Sequence, residues 1–315
     1  MVDLSIIYVY YNNSDVIFNS IDSVIKTVKN ISFEIIISVN RCDDITVESL
    51  KQYSNKIKII DNGENLGFAK ANNIALKKVN SEFVLFLNPD IVLKEKSINE
   101  LLKEIKKDKE IGLLSPKLID ENGRLQKTVI YKKYSPLYLI LEYFFIFNIP
   151  LIKKLFYSFY YSENDYNTIQ HPVAISGAFM LFRYNIIKEL NGFDEDFFMY
   201  AEDKNLSLRA KKITQIKYIP QIEVIHLGGA TFGKAPSVSK LKLMVSAQLL
   251  NIKKLFGTLS YFYVTIFFII NGILFLLVSF IPKIPRKNLF RNRSLAILSV
   301  AFRKYEKIIS SFHSS

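Results

Sequence analysis

The chain has no tryptophan and a single cysteine, Cys42. One thiol excludes an internal disulfide and suits a reducing compartment. The three histidines, His171, His226 and His313, are far apart, and with Cys42 they make no zinc-ligand spacing. No G-x-G-x-x-G follows the first apolar run, and no G-x-x-x-x-G-K-S/T occurs anywhere. Dinucleotide-binding and P-loop readings are therefore weak. Acidic residues are a minority, 29 against 42 Lys and Arg, for a net charge of +13. That balance favours acidic partners: nucleic acid, anionic lipid or a phosphorylated substrate. Met1–Tyr11 carries Asp3 and no basic residue before its apolar run, so it does not read as a signal peptide. No set of several long apolar runs is present, which argues against a polymer-exporting channel.

What is present is an α/β pattern. The length of 315 residues, half of them hydrophobic, suits one large α/β domain with an appendage, or two domains. The organising stretch is Phe83–Leu87, an apolar strand that stops at Asn88-Pro89-Asp90. Pro89 fixes its own φ and pushes Asn88 out of the helical region, so the backbone turns there. Asp90 is left at the carboxyl end of a central strand, the edge at which open α/β sheets bind ligands. Upstream, Leu4–Tyr10, Glu34–Val39 and Ile57–Ile60 read as strands. Helices are expected over Asp15 to about Lys29, with Ser14 as cap, and over Ala69–Val79. The alternation predicts βαβ units and a mostly parallel sheet flanked by helices.

Three stretches carry a resemblance: SIIYVYYNN at the first strand, NLGFAKANN at Asn65–Asn73, and LNPD at Leu87–Asp90. They resemble the family 2 glycosyltransferases of GT-A fold, over roughly residues 4 to 232. The similarity is greatest to the rhamnosyltransferase-like branch, which often carries N-P-D where other members carry D-x-D. The resemblance implies that Asp90 holds a Mg²⁺ or Mn²⁺ ion on the donor diphosphate. It places Tyr11 and Asn12 beside the base. Asn40, Asn65, Gly67, Asn72, Asn88, Ser176 and Gly177 would line the nucleotide-sugar pocket. One departure stands out. Relatives carry Asp-Asn after the second strand, and this chain has Val39-Asn40. Valine accepts no hydrogen bond, so either Asp43 or Asp44 replaces that base contact or both are ordinary loop residues.

In the second half, Ile111–Lys117 reads as a strand and Asp120–Arg124 as a hairpin turn with Asn-Gly at its tip. Residues 129–170 are aromatic-rich, with breaks at Pro136 and Pro150. They read as a variable insertion, either packed on the core or forming an exposed acceptor- or membrane-facing lobe. Phe179–Phe182 is a strand, and the helix after it ends at Leu190 before Asn191-Gly192, a left-handed cap. Glu202-Asp203 opens a further helix that carries Arg209. Carboxylates also serve there as simple caps. In the family such a pair carries the catalytic base, a role that falls by similarity to Asp203, with Glu202 beside it. Asn205 stands where many relatives have a further Asp. Glu223–His226 followed by Gly228-Gly229 resembles the family's H-x-G-G element, which would bring His226 to the diphosphate or its metal ion.

The tail, residues 236–315, is expected to be helical, after a glycosyltransferase domain over 1–235. Ser237–Phe256 reads as a basic amphipathic helix with Lys240, Lys242, Lys253 and Lys254, and Thr258–Ile281 carries no charge. At ~1.5 Å per residue a straight helix of that length reaches ~36 Å, enough for a bilayer. A single crossing would export Lys283, Arg286, Lys287, Arg291 and Arg293, against the positive-inside tendency. Three arrangements stay open: a re-entrant or in-plane hairpin bent at Asn271-Gly272, a single span, and a buried helical pair or dimer contact.

The reading, with inversion and donor type as the resemblance implies them, is an inverting glycosyltransferase. It takes a sugar from a dTDP-rhamnose or UDP-sugar type of donor to a lipid-linked or surface-glycan acceptor, at the cytoplasmic face of the membrane. Nucleic acid is not an expected partner, and a homo-oligomer is open. The rival reading is a sugar-nucleotide-binding scaffold without activity, which Val39 and Asn205 would favour.

Overall fold

The computed structural model describes residues 2–11, 14–41, 48–53, 55–127, 129–143, 158–228, 237–281 and 287–301. Asn12, Asp43, Asp44 and Gly229 lie outside them. The chain divides into two compact units. The first comprises Met1–Tyr131, Tyr161–Phe197 and Asp203–Phe232; the second comprises Lys132–Tyr160, Phe198–Glu202 and Gly233–Ser315.

The first unit is a sheet flanked by helices. β1 (Val2–Tyr10), α1 (Ser14–Thr27), β2 (Phe33–Val39), β3 (Ile57–Asp61), α2 (Gly67–Leu76) and β4 (Ser81–Leu87) form its amino-terminal half. β1, β2, β3 and β4 pair in parallel. The apolar runs of β1, β2 and β4 are buried on both faces, as parallel strands covered by helices must be, while the edge strand β3 is largely half-buried or exposed. Then follow β5 (Ile91–Leu93), α3 (Ser97–Lys107), β6 (Ile111–Ile119), β7 (Ile130–Tyr131), β8 (Ala174–Ile175), β9 (Phe179–Arg183), α5 (Tyr184–Glu189), α6 (from Glu202 to Ala210) and β10 (Gln215–His226), with α4 (Pro136–Tyr143) inside the second unit.

The sheet has eight strands in the order β3-β2-β1-β4-β9-β6-β10-β5. β9 runs antiparallel to both β4 and β6, β6 and β10 are parallel, and β5 is antiparallel to β10. The sheet is therefore mixed, with its parallel character concentrated in the first four strands. Its largely aliphatic core holds an aromatic cluster: Phe86 meets Phe182 and Phe193 edge-to-face, with ring centroids 6.0 and 4.9 Å apart.

Two turns form as their residues require. At Asp120–Arg124 the Asp120 carboxylate accepts from the backbone N–H groups of Asn122 and Arg124, and Gly123 takes φ +77°. After α5, Asn191 and Gly192 are both left-handed, at φ 55° and 71°, and Gly192 N–H closes on Ile187 O.

In the second unit the described part of the aromatic insertion buries several of its large side chains, among them Tyr134, Tyr138 and Phe159. Tyr138 and Leu139 are almost fully covered, while Leu137 is exposed. A polar chain threads through this packing. Tyr134 Oη donates to Gln248 Oε1 at 2.7 Å and accepts from Asn251 Nδ2 at 3.0 Å. Tyr138 Oη donates to Glu142 at 2.9 Å and accepts from Tyr160 at 3.0 Å. α7 (Val238–Ser279) is capped by the Ser237 hydroxyl and consists of two helical stretches joined by a kink at Gly257, whose backbone is non-helical (φ 84°, ψ 174°). The bend expected at Asn271-Gly272 is absent. The helix runs through it, because Gly272 is the contact point for α8 (Lys287–Ala301): a Cβ there would lie 2.9 Å from a Leu298 methyl. α7 before Gly257 is largely buried over Leu241–Ile252 rather than amphipathic. Beyond Gly257 one face meets α8, and the other exposes Leu259, Phe262, Ile266, Ile270, Ile273, Leu277 and Phe280 at helical spacing.

Candidate active site

Five segments of the first unit meet at the carboxyl edge of β4. The Asn88-Pro89-Asp90 turn closes with Ile91 N–H on Asn88 O, at 3.1 Å. Asn88 N–H in turn donates to Ala178 O at 3.0 Å, which joins the turn to the segment before β9. Ser176 and Gly177 lie in that segment, and the Ser176 hydroxyl accepts from Ala178 N–H. Gly177 N–H donates to Asp203 Oδ2 at 2.9 Å, while Lys204 N–H donates to Oδ1 at 2.7 Å. Both carboxylate oxygens are thus aimed by the backbone, and each keeps a lone pair for a further partner. An added Cβ on Gly177 would stand 3.1 Å from Asp203 Cβ, a tight contact that would need Asp203 to shift by a few tenths of an ångström.

On the other side of the turn, β5 pairs Ile91 with His226, and Leu227 N–H donates to Asp90 O at 2.8 Å. His226 Nε2 lies 3.3 Å from Asp90 Oδ1, a buried oxygen that accepts no hydrogen bond. Gln126, which leaves the hairpin turn after β6, holds the other side of the ring. Its Oε1 is 2.6 Å from His226 Nδ1, and its Nε2 donates to His226 O at 3.0 Å.

A divalent ion fits these residues. A buried carboxylate oxygen without a donor and an imidazole nitrogen facing it are both ligand atoms. Among the described residues no group of three or more His, Cys, Asp and Glu side chains could hold a metal. Two protein ligands completed by substrate phosphate oxygens is the ordinary arrangement for such an ion.

The remaining expected residues divide. Tyr11 is exposed at the end of β1. Asn65 and Gly67 form the entry to α2: Asn65 Oδ1 accepts from Gly67 N–H, and Gly67 is left-handed at φ 79°. Asn40 is 2% exposed and is engaged within the protein, donating to Gly67 O and accepting from Asn62 Nδ2. Asn72 is buried and donates to Phe68 O in its own helix. Asn40 thus serves the shape of the loop before α2, and Asn72 the first turns of α2 itself. Val39 is buried in the sheet, in register with Tyr10 and Asp61. Asn205 accepts from Arg209 Nε, and that guanidinium also donates to Leu190 O and Gly192 O, so Asn205 braces the loop after α5. Asn73 supports the same loop through both backbone groups of Phe193.

Glu202 is the last residue of its segment in the second unit, and it is buried. Just before it Tyr200 and Ala201 are both left-handed, at φ 71° and 64°, backbone that is rare away from glycine and frequent at functional sites. Burial, and then the charge of Glu202, push the Tyr200 phenol up to about 12. Neither this strained pair nor Gln126 has a signal in the sequence. Gln126 reaches a residue 100 positions away, through a turn that looks like any hairpin.

The family described as "Glycosyl transferase family 2" matches residues 5–190. Over 209 residues the chain is 26% identical to rhamnosyltransferase WbbL of Escherichia coli K12, covering 62% of this chain and 72% of that protein. Over 216 residues it is 24% identical to the N-acetylglucosaminyl-diphospho-decaprenol L-rhamnosyltransferase of Mycobacterium tuberculosis, covering 64% and 69%. Among solved structures, the fold resembles the mannosyltransferase PcManGT of Pyrobaculum calidifontis in complex with GDP-Man and Mn²⁺. The TM-score is 0.55 at 12% identity, over 99% of this chain and 80% of that one. It also resembles GalNAc-T7 with UDP, GalNAc and Mn²⁺, at a TM-score of 0.54 and 16% identity, over 72% and 43%. The chain belongs to glycosyl transferase family 2 and is similar to rhamnosyltransferases within it.

Proposed function

We propose that this glycosyltransferase inverts the anomeric centre of a nucleotide-diphosphate sugar, of the dTDP-rhamnose or UDP-sugar type, as it moves the sugar to a hydroxyl of a lipid-linked or surface-glycan acceptor. The observation that carries this reading is the Asp203 carboxylate, held by two backbone N–H groups. It is linked through Gly177 and Ala178 to the Asp90 turn. Asp203 takes the proton from the acceptor hydroxyl as that oxygen attacks the anomeric carbon and the bond to the nucleoside diphosphate breaks. Gly177 keeps the base in place, and Asn65, Gly67 and Tyr11 border the donor. Asp90 Oδ1 and His226 Nε2 are the atoms that would hold a Mg²⁺ or Mn²⁺ ion. When bound, such an ion supplies charge stabilisation to the departing diphosphate.

The test is transfer from a panel of dTDP-, UDP- and GDP-sugars to lipid-linked acceptors, for wild type and Asp203→Asn. The variant should keep donor binding and lose transfer by a factor of roughly 10²–10⁴. Normal transfer by a folded Asp203→Asn protein overturns the assignment.

The outer face of α7 supports a membrane surface as partner. α8 is short: its 15 residues reach about 22 Å, less than the ~30 Å hydrocarbon core. Its first half exposes Arg291 and Arg293. A hairpin lying in the plane of the cytoplasmic leaflet buries the apolar stripe of α7 and leaves these cations among anionic headgroups. Flotation with vesicles containing phosphatidylglycerol should be strong for wild type and weak for Ile266→Asp/Ile270→Asp. Equal flotation of both would exclude the stripe as the contact.

A further inference from the structure

We infer that Gln126 is a positioning residue that fixes the tautomer of His226 and so keeps its Nε2 bare toward Asp90. The inference rests on the reading of Asp90 and His226 as metal ligands, and it concerns a residue outside every motif of the site.

The argument is one of donors and acceptors. His226 O is a backbone carbonyl and only accepts. The side-chain end of Gln126 that faces it, at 3.0 Å, must be the NH₂ group. The other end, 2.6 Å from His226 Nδ1, is then the carbonyl oxygen, which also only accepts. Nδ1 must therefore carry the proton. In a neutral imidazole the second nitrogen is then an acceptor, and Nε2 presents a lone pair to Asp90 Oδ1 across 3.3 Å. Asp90 Oδ1 is buried and accepts no hydrogen bond, although an imidazole nitrogen lies beside it. Two electron-rich atoms at that separation favour a cation bound beside them. An N–H donated to a carbonyl or carboxylate is the usual way a metal-binding histidine is oriented.

The position of Gln126 is itself well fixed. Its backbone N–H donates to Leu118 O at 3.0 Å, and its neighbour Leu125 bridges to Ile119 across the Asp120–Arg124 turn. A side chain at this position that only fills space would leave the ring free to carry its proton on Nε2. That N–H would donate to Asp90 Oδ1 and close the pair on itself. Both ligand atoms would then be engaged with each other instead of a metal ion.

The experiment has two readouts. First, long-range ¹H–¹⁵N correlation spectra of the metal-free protein at alkaline pH distinguish the two neutral tautomers. The His226 signals are assigned by comparison with His226→Gln, since the chain has three histidines. Wild type should show the Nδ1–H pattern, Gln126→Leu the Nε2–H pattern, and Gln126→Glu, which keeps an acceptor toward Nδ1, the wild-type pattern. Second, Mn²⁺ affinity is measured by the loss of the free-ion electron paramagnetic resonance signal, alone and with UDP, dTDP or GDP. Gln126→Leu should bind about 10–100-fold more weakly, the usual cost of removing such a partner, and Gln126→Glu should recover most of the loss. An Nε2–H tautomer in wild type overturns the inference, as does unchanged Mn²⁺ affinity in Gln126→Leu when His226→Gln has lost it. Unchanged affinity in His226→Gln and Asp90→Asn is a different outcome. It overturns the metal reading of the pair, and the role of Gln126 with it.

Discussion

A methyl group on Gly228 would fall 1.7 Å from Asp90 Oδ2. The backbone after β10 thus lies against the carboxylate that ends the Asn88-Pro89-Asp90 turn, and only a hydrogen fits between them. Gly228→Ala should force Asp90 out of its place. The expected result is a fall in Mn²⁺-supported nucleotide binding of at least tenfold, since displacements of this order disrupt positioned groups. Calorimetric titration with UDP, dTDP and GDP checks it, and wild-type binding by the variant would mean that the carboxylate position is not needed.

Asp90→Asn keeps the shape of the side chain and removes its charge. Metal-dependent nucleotide binding should drop by about two orders of magnitude, because loss of a ligand charge costs more than loss of a supporting contact. Far-ultraviolet circular dichroism and the melting temperature should stay close to wild type, because the hydrogen bonds of this turn are made by backbone groups.

Gly177→Ala probes the base. The added Cβ would sit 3.1 Å from Asp203 Cβ, so the start of α6 must shift by a few tenths of an ångström. The turnover number should fall roughly tenfold with little change in donor affinity, since a 1 Å misplacement costs about 10²-fold. An equal effect on donor binding would place Gly177 in the donor pocket rather than behind the base.

Gly192→Ala should destabilise the first unit by roughly 1–3 kcal/mol, a typical cost for a non-glycine residue forced into left-handed backbone. Gly192 has φ +71°, and a Cβ would lie 2.3 Å from Asn73 Oδ1, the atom that accepts from Phe193 N–H. Urea denaturation measures the loss, and an unchanged midpoint would refute the account of this loop.

Glu223 offers a test in acid. Its hydrogen bond from Lys94, at 2.7 Å, opposes the effect of burial and, with Lys117 at 3.4 Å, holds the carboxyl below the usual range. A folded value depressed in this way contributes stability that is present above the unfolded value of about 4.3. That stability is lost as pH falls through the folded value. Wild type should therefore be more stable than Glu223→Gln near neutrality, and the difference should vanish on acidification. Urea midpoints that stay parallel from neutral to acid pH would contradict it.

The chain order alone determined the alternation of strands and helices, the break at Asn88-Pro89-Asp90 and the left-handed end at Asn191-Gly192. These are local properties: apolar period, a fixed proline φ, and a backbone region open to glycine. The charge-free stretch Thr258–Ile281 was legible as a long apolar helix for the same reason. The tertiary structure decided which of these residues face one another. Asn40 and Asn72 look like ligand contacts in a motif, but folding buries them and turns the amide nitrogen of each to a backbone carbonyl. Asn271-Gly272 looks like a bend, but the helix stays continuous there because Gly272 admits α8. Gln126 belongs to no pattern, and it reaches His226 because β6 and β10 are neighbours in the sheet. Local chemistry sets the backbone one turn at a time. Hydrogen-bond partners a hundred residues apart are set by the order of strands, which only the folded packing selects.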